Sequence, residues 1–121
     1  SDPRHWWTAL NYEIPEVRDY IFGVCHDVCR RYDVDGVEID YFRSPLLFRP
    51  NLEYQSATPA QRELLTDFHR RIRKMAYRVG TERGRPILVA ARVPVTKRMC
   101  LNVGIDIERW LNEDIEGVMK Q

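Results

Sequence analysis

An apolar, strand-like segment between Val34 and Arg43 carries two acidic residues, Glu38 and Asp40, two positions apart. Successive side chains of a strand point to opposite faces, so both acids are predicted on one face and Ile39 on the other. Acidic residues are rare inside buried strands and need a partner there. The pair therefore predicts a carboxylate site near the carboxyl end of a buried strand, where such groups act as nucleophile, general acid or general base.

Asp40 and Glu38 are the candidate catalytic carboxylates, and four further residues are predicted to bind a ligand at the same site: Arg43, Arg92, Asn11 and Tyr41. Arg43 follows the strand and presents a planar set of donors, which holds a carboxylate ionised or binds a hydroxyl group. Arg92 lies near the end of a second apolar strand, where it serves the site or pairs with a buried Glu38. Asn11 reaches the site or caps a helix, and Tyr41 offers a stacking face or packs in the core.

Helical and strand-like patterns alternate along the chain and are predicted to position these residues. A helix from Pro15 to Tyr32 has apolar residues at the three-and-four spacing of an amphipathic helix. A second helix begins after Thr58, with Gln61 three residues later as in a capping box, and ends at Gly80. The other predicted elements are strands over 7–10 and 34–42, a strand over 86–93 buried on both faces, a short helix capped by Asp106, and a strand over 115–119.

This alternation predicts an α/β fold with a parallel sheet. Two long loops, over 44–57 and 95–104, follow strands, whereas the connections from helix to strand are short. Long strand-to-helix loops on one side of a sheet are typical of a (β/α)₈ barrel, whose active site they form. Because a complete barrel needs about 250 residues, residues 1–121 are predicted to be one segment of such a domain. The predicted fold class is thus α/β, a partial (β/α)₈ TIM barrel with about three to four βα units.

Four stretches of the chain, 11–20, 31–43, 91–94 and 104–110, together resemble one known family. They include the helix start at Pro15 and the acidic strand with Asp35, Gly36 and Asp40. In this combination they are similar to the bacterial glycosyl-hydrolase-like (family 10 glycosylhydrolase-type) TIM-barrel proteins. The resemblance extends over most of the chain, from about residue 10 to residue 118. It implies hydrolysis of glycosidic bonds in an oligosaccharide or polysaccharide substrate.

Two better-understood groups of barrel glycosidases resemble the acidic strand in part. Amylase-type barrels share Asp35, Gly36 and Asp40 but have an arginine where this chain has Glu38. Chitinase-type barrels share the same three residues, whereas Phe42 replaces their catalytic glutamate, which argues against chitinase chemistry. Because both resemblances share Asp40, they make it the first choice for a catalytic carboxylate, with Glu38 as the second. Glycosidases ordinarily flank the bond with two carboxyl groups, so the second is expected on Glu38 or on a strand outside this chain.

Two other classes of function stay open. A non-catalytic carbohydrate-binding barrel would use the same polar residues only to hold a glycan. A weaker alternative is an anionic-ligand or nucleic-acid binder, based on the basic residues of the second predicted helix: Arg62, Arg70, Arg71, Arg73, Lys74 and Arg78. Because they wind around the helix without interleaved aromatic residues, we expect them to form a solvated face. The net charge of +1 gives no overall reason for a nucleic-acid or membrane partner. The unpaired strand edges of half a barrel predict self-association.

The remaining composition argues against a membrane span, a disulfide framework and a metal centre. No window approaches the roughly 18 consecutive apolar residues of a membrane span, and Ser1 to Trp6 show no leader pattern. Cys25 and Cys29 share one helical face, where they are predicted to be small apolar fillers rather than metal ligands. Cys100 stands alone, so neither a metal nor a cofactor is predicted. The histidines are predicted to be surface or helix residues without a role in the site: His5, His26 and His69.

Overall fold

The computed structural model describes residues 12–41, 56–94 and 96–120, with side chains described as far as Glu113. Its elements, in chain order, are α1 (Pro15–Arg31), β1 (Gly36–Asp40), α2 (Pro59–Arg83), β2 (Leu88–Arg92), α3 (Lys97–Val103) and α4 (Ile107–Lys120). The two strands are parallel neighbours in one sheet, with Gly36 opposite Leu88 and Asp40 opposite Arg92. The helices α1 and α2 pack against each other and the sheet.

The prediction of a partial (β/α)₈ barrel with three to four βα units is wrong. The described residues form four helices and a two-stranded parallel sheet, so the fold is mostly helical. The predicted strand over 115–119 lies instead within α4. A short apolar run cannot be assigned to helix or strand by its periodicity, and here it continues a helix that begins after Asp106. The predicted strand over 7–10 lies outside the described residues.

The first two helices begin where the sequence predicts. Pro15 opens α1, and the side chains of Thr58 and Gln61 form a reciprocal capping box at the start of α2. The α2 helix continues three residues past the predicted end at Gly80, because the left-handed residue that closes it is Gly84, with φ of 76°. The second predicted loop also contains α3, which is capped by the Thr96 side chain.

Two glycines allow the sheet and α2 to approach closely. A side chain at Gly36 would place its Cβ 2.7 Å from the carbonyl oxygen of Leu88 on the neighbouring strand. A Cβ at Gly80 would lie 3.0 Å from the backbone nitrogen of Ile87, just before β2. Both positions therefore require glycine for the pairing of β1 with β2 and for the turn that returns the chain from α2 to the sheet.

The core lies between one face of the sheet and the helices, in two clusters. One contains the aromatic residues that surround the end of β1: Tyr12, Tyr41, Phe68 and Trp110. The other joins α1, α2 and the start of β2 through Cys29, Met75, Ala76, Val79 and Ile87. The predicted packing role of the thiols is confirmed for Cys29, whereas Cys25 is half-buried beside both clusters. No described helix is both long enough and apolar enough to cross a lipid bilayer.

Ion pairs join α4 to α2 at the surface. The Arg70 guanidinium donates from Nε to both carboxylate oxygens of Glu113, each at 3.1 Å, and Arg109 pairs with Glu63. The hydrogen bond from Arg70 is the main reason that the pKa of Glu113 lies below its ordinary value. Arg70 was predicted to belong to a solvated face, but the structure gives it a role in holding two helices together.

Candidate functional site on the open sheet face

Glu38, Asp40 and Arg92 lie on one face of the sheet, which we call the polar sheet face. Burial alternates along β1, where Val37 and Ile39 face the helices while Glu38 and Asp40 are exposed. The predicted placement of both acids on one face is confirmed. The prediction that they stand in a buried strand is wrong, since no helix among the described residues covers this face. The acids are therefore accessible to a ligand from solvent.

Asp40 and Arg92 pair across the two strands at their carboxyl ends. They occupy opposed positions in the register, and Nη1 of Arg92 lies 4.0 Å from Oδ2 of Asp40. The side chains keep exposed fractions of 61% for Arg92 and 35% for Asp40, so the pair remains open to solvent. The alternative that Arg92 neutralises Glu38 is not observed, because Glu38 stands opposite Ala90. The structure thus joins a carboxylate and a guanidinium where both strands end.

The second strand departs from its predicted burial for the same reason as the first. Its apolar run predicted burial on both faces, but Leu88 is 70% exposed and Ala90 is exposed beside it. Val89 and Ala91 face the helices and are half-buried. Small and aliphatic residues suit either environment, so the run itself did not distinguish an open face from a covered one. As a result, Leu88 and Ala90 form an exposed apolar strip on β2 beside the polar sheet face.

Tyr41 lies on the core side of the sheet, away from the polar sheet face. Its side chain is fully buried, and its ring meets Trp110 edge-on with 5.6 Å between centroids. Burial is the main cause that raises the pKa of Tyr41 well above its ordinary value. Of the two roles considered for Tyr41, the structure therefore supports packing in the core, where the ring presents no surface to a ligand bound at Asp40.

His69 was predicted to be a surface or helix residue; it lies in α2, and its side chain is buried in the core beside Tyr41. The Oη of Tyr41 and Nδ1 of His69 are 3.4 Å apart, and the imidazole stacks on Trp110 with 4.3 Å between centroids. The indole Nε1 of Trp110 donates in turn to Thr66. A signal was present in the sequence, because His69 follows Leu65 by four residues on the apolar side of α2. These contacts support the backbone directly behind Asp40.

Two of the predicted substrate-binding residues, Asn11 and Arg43, lie outside the described residues, as does Phe42. Their roles stay predictions. Among the described residues, no group of three histidine, cysteine, aspartate or glutamate side chains has an arrangement that would hold a metal ion. Burial raises the pKa of both Cys25 and Cys29, which favours the protonated thiol over the thiolate that binds metals.

No protein-family model matches the chain, and none of the curated proteins compared with it matches it. The resemblance to glycosyl-hydrolase-like barrel proteins therefore rests on the motifs of the sequence alone. The polar sheet face has to be interpreted from its own chemistry, which is that of a solvent-accessible carboxylate with an arginine and a second acid beside it.

Proposed function

We propose that the polar sheet face binds a carbohydrate and that Asp40 acts on a glycosidic bond as nucleophile or as general acid and base. The observation that carries this proposal is the pairing of Asp40 with Arg92 at the carboxyl ends of two parallel strands. Ligands of open α/β sheets bind outside this edge of the strands. Arg92 supplies hydrogen-bond donors for sugar hydroxyls, and Asp40 supplies the carboxylate.

Glu38 is proposed as the assisting carboxylate. It precedes Asp40 by two residues on the same exposed face, which puts the two backbone positions about 6.6 Å apart along the strand. Catalytic carboxyl groups stand about 5–5.5 Å apart in retaining glycosidases and about 6.5–9.5 Å apart in inverting ones. The backbone separation is thus similar to the carboxyl separation in such pairs, and both side chains project to the same face of the strand.

A second candidate function is glycan binding without turnover, and the openness of the site favours it. Arg92 is 61% exposed and both acids face solvent. Enzyme active sites usually exclude bulk water, apart from the water molecule that hydrolysis consumes, because a partly enclosed site strengthens the electrostatic interactions on which catalysis depends. An open face with a charged pair is suited to holding a hydroxyl-rich ligand through hydrogen bonds alone.

Substitution of Asp40 separates these two functions. We would compare Asp40→Asn and Glu38→Gln with Asp27→Asn, a control that removes an exposed carboxylate from α1. Release of reducing ends from a panel of polysaccharides measures turnover, and affinity electrophoresis in the same polysaccharides measures binding. Turnover that is lost in Asp40→Asn while binding is retained supports catalysis. Binding by the unsubstituted chain without turnover supports the second function, and the absence of both contradicts the carbohydrate proposal.

The arginine-rich helix gives less support to a nucleic-acid partner than its composition suggests. Arg70 pairs with Glu113. Arg71 pairs with Asp19 and stacks on Phe22, and all three contacts are internal to the chain. Cations that already have partners release fewer counterions on binding to phosphates. Binding to a single-stranded oligonucleotide that falls steeply with added salt would be the result that restores this alternative.

A further inference from the structure

The outer edge of β2 carries backbone groups that the described part of the chain leaves unpaired. The amide of Leu88 donates to Asp35 at 3.1 Å, and the carbonyl of Arg92 accepts from Tyr41 at 2.9 Å. Because these residues direct their backbone groups toward β1, the alternate residues Val89 and Ala91 direct theirs to the opposite edge. No described residue donates to or accepts from that edge, so it is a template for another strand.

A cleft of about 720 Å³ runs beside this edge, and we call it the edge cleft. Its lining includes Leu88 to Ala90 on the strand side and Tyr77 and Gly80 on the α2 side. Leu88 and Tyr77 are large apolar side chains with exposed fractions of 70% and 58%. A strand lies about 4.8 Å from its neighbour in a sheet, so an added strand in this cleft would cover part of both side chains.

A second cleft of about 550 Å³, the basic cleft, adjoins the edge cleft on α2, and the two share Arg73, Tyr77 and Thr81 as lining residues. Lys74 and Arg78 line the basic cleft one helical turn apart, and neither has an ion pair within the described residues. Like charges at this spacing destabilise a helix, and a bound anion relieves the repulsion. Glu82 is the single acid among the described residues that line either cleft.

From the edge and the two clefts we infer that β2 is a docking site for an extended peptide strand of a partner protein, with apolar residues in the edge cleft and carboxylates over the basic cleft. Addition of a strand satisfies the backbone of Val89 and Ala91, as in other cases where a peptide extends a sheet. It also enlarges a two-stranded sheet, which is marginal by itself. A second copy of this chain is a poorer occupant, since two-fold pairing of β2 would bring the same cations of both copies together.

The test uses the 121-residue chain and a fluorescein-labelled peptide of alternating valine and threonine with two glutamates at each end. A peptide with lysines in place of the glutamates, and one with a central proline, are the matched controls. Fluorescence anisotropy measures binding, and amide hydrogen exchange locates it. We expect only the glutamate peptide to bind, with new protection at the amides of Val89 and Ala91. The amides of Leu88 and Ala90, which already point toward β1, should change little.

Substitutions in the chain test the charge and the apolar contact separately. The pair Lys74→Glu and Arg78→Glu should weaken binding of the glutamate peptide about tenfold, since each exposed ion pair contributes a factor of a few. Tyr77→Ala should weaken it through the edge cleft, while Arg98→Glu, an exposed control on α3, should not. Absence of binding, or equal binding of the lysine peptide, overturns the inference. Protection of Val89 and Ala91 that grows with protein concentration without peptide also overturns it, because a second copy then occupies the edge.

Discussion

The guanidinium of Arg92 lies across the sheet from the carboxylate of Asp40, with 4.0 Å between Nη1 and Oδ2, at the carboxyl ends of the two parallel strands. The pair is separated by 52 positions in the sequence and brought together by the register of β1 and β2. On the other side of β1, Tyr41, His69 and Trp110 support the same strand end. A solvated charged pair thus stands at a strand end whose other side packs in a buried aromatic cluster.

Arg92→Gln should show whether Arg92 serves ligand binding or the stability of the fold. The side chain is 61% exposed and its ion pair with Asp40 is long, so the free energy of unfolding should change by less than about 0.5 kcal/mol. Polysaccharide binding in affinity electrophoresis should fall clearly, because the donors for hydroxyl groups are lost. Urea unfolding provides the stability measurement. A large loss of stability with unchanged glycan binding would show that Arg92 serves the fold and not the site.

Alanine substitution at two glycines should have opposite effects on stability. In Gly36→Ala the new Cβ meets the Leu88 carbonyl oxygen at 2.7 Å, so the strands must shift at a cost of about 1–3 kcal/mol. In Gly23→Ala nothing lies within 4 Å of the new Cβ, and α1 should gain about 0.5–1 kcal/mol from the higher helix propensity of alanine. Thermal and urea unfolding of both variants provide the comparison. Equal effects of the two changes would contradict the close approach of β1 and β2.

The buried tyrosines should make the protein sensitive to alkali. Burial is the main cause that raises the pKa of Tyr12 from 10.0 to about 12, and the pKa of Tyr41 is raised as well. Above pH 10.0 the unfolded chain loses these phenolic protons while the folded chain keeps them, so stability falls as the pH rises toward about 12. Below pH 10.0 the buried tyrosines make their full contribution to the free energy of unfolding. Unfolding free energies measured across the window should fall less steeply in Tyr12→Phe, with Tyr20→Phe at an exposed position as the control for loss of a hydroxyl.

The contact between Arg70 and Glu113 should make the free energy of unfolding depend on pH in the acid range. Its hydrogen bonds lower the pKa of Glu113 below the ordinary 4.5. The contribution of this contact to the free energy of unfolding is therefore complete above pH 4.5. It is lost as the pH falls through the lower pKa that Glu113 has in the folded state. Glu113→Gln should destabilise the chain by about 1 kcal/mol at neutral pH and should lose that difference in acid. A difference that persists at the lowest pH would point to packing rather than charge.

Local sequence features determined the beginnings of helices and the faces of strands. Thr58 with Gln61 marks the start of α2, and the alternation of Glu38 and Asp40 with Ile39 places both acids on one face. These predictions succeeded because capping and the two-residue period of a strand depend only on neighbours in the chain. Dependence on neighbours alone is also why the prediction for 115–119 failed. A few apolar residues between helix-compatible neighbours suit either a helix or a strand.

Tertiary structure decided which faces are covered and which residues meet. The sequence by itself determined that Asp40 and Glu38 share a face, that α1 begins at Pro15 and that α2 is capped by Thr58. Only the tertiary packing left that face exposed, buried His69 in the core and placed Arg92 opposite Asp40. The physical reason is that burial and strand register arise from contacts between segments far apart in the chain, which a local pattern of residues does not encode.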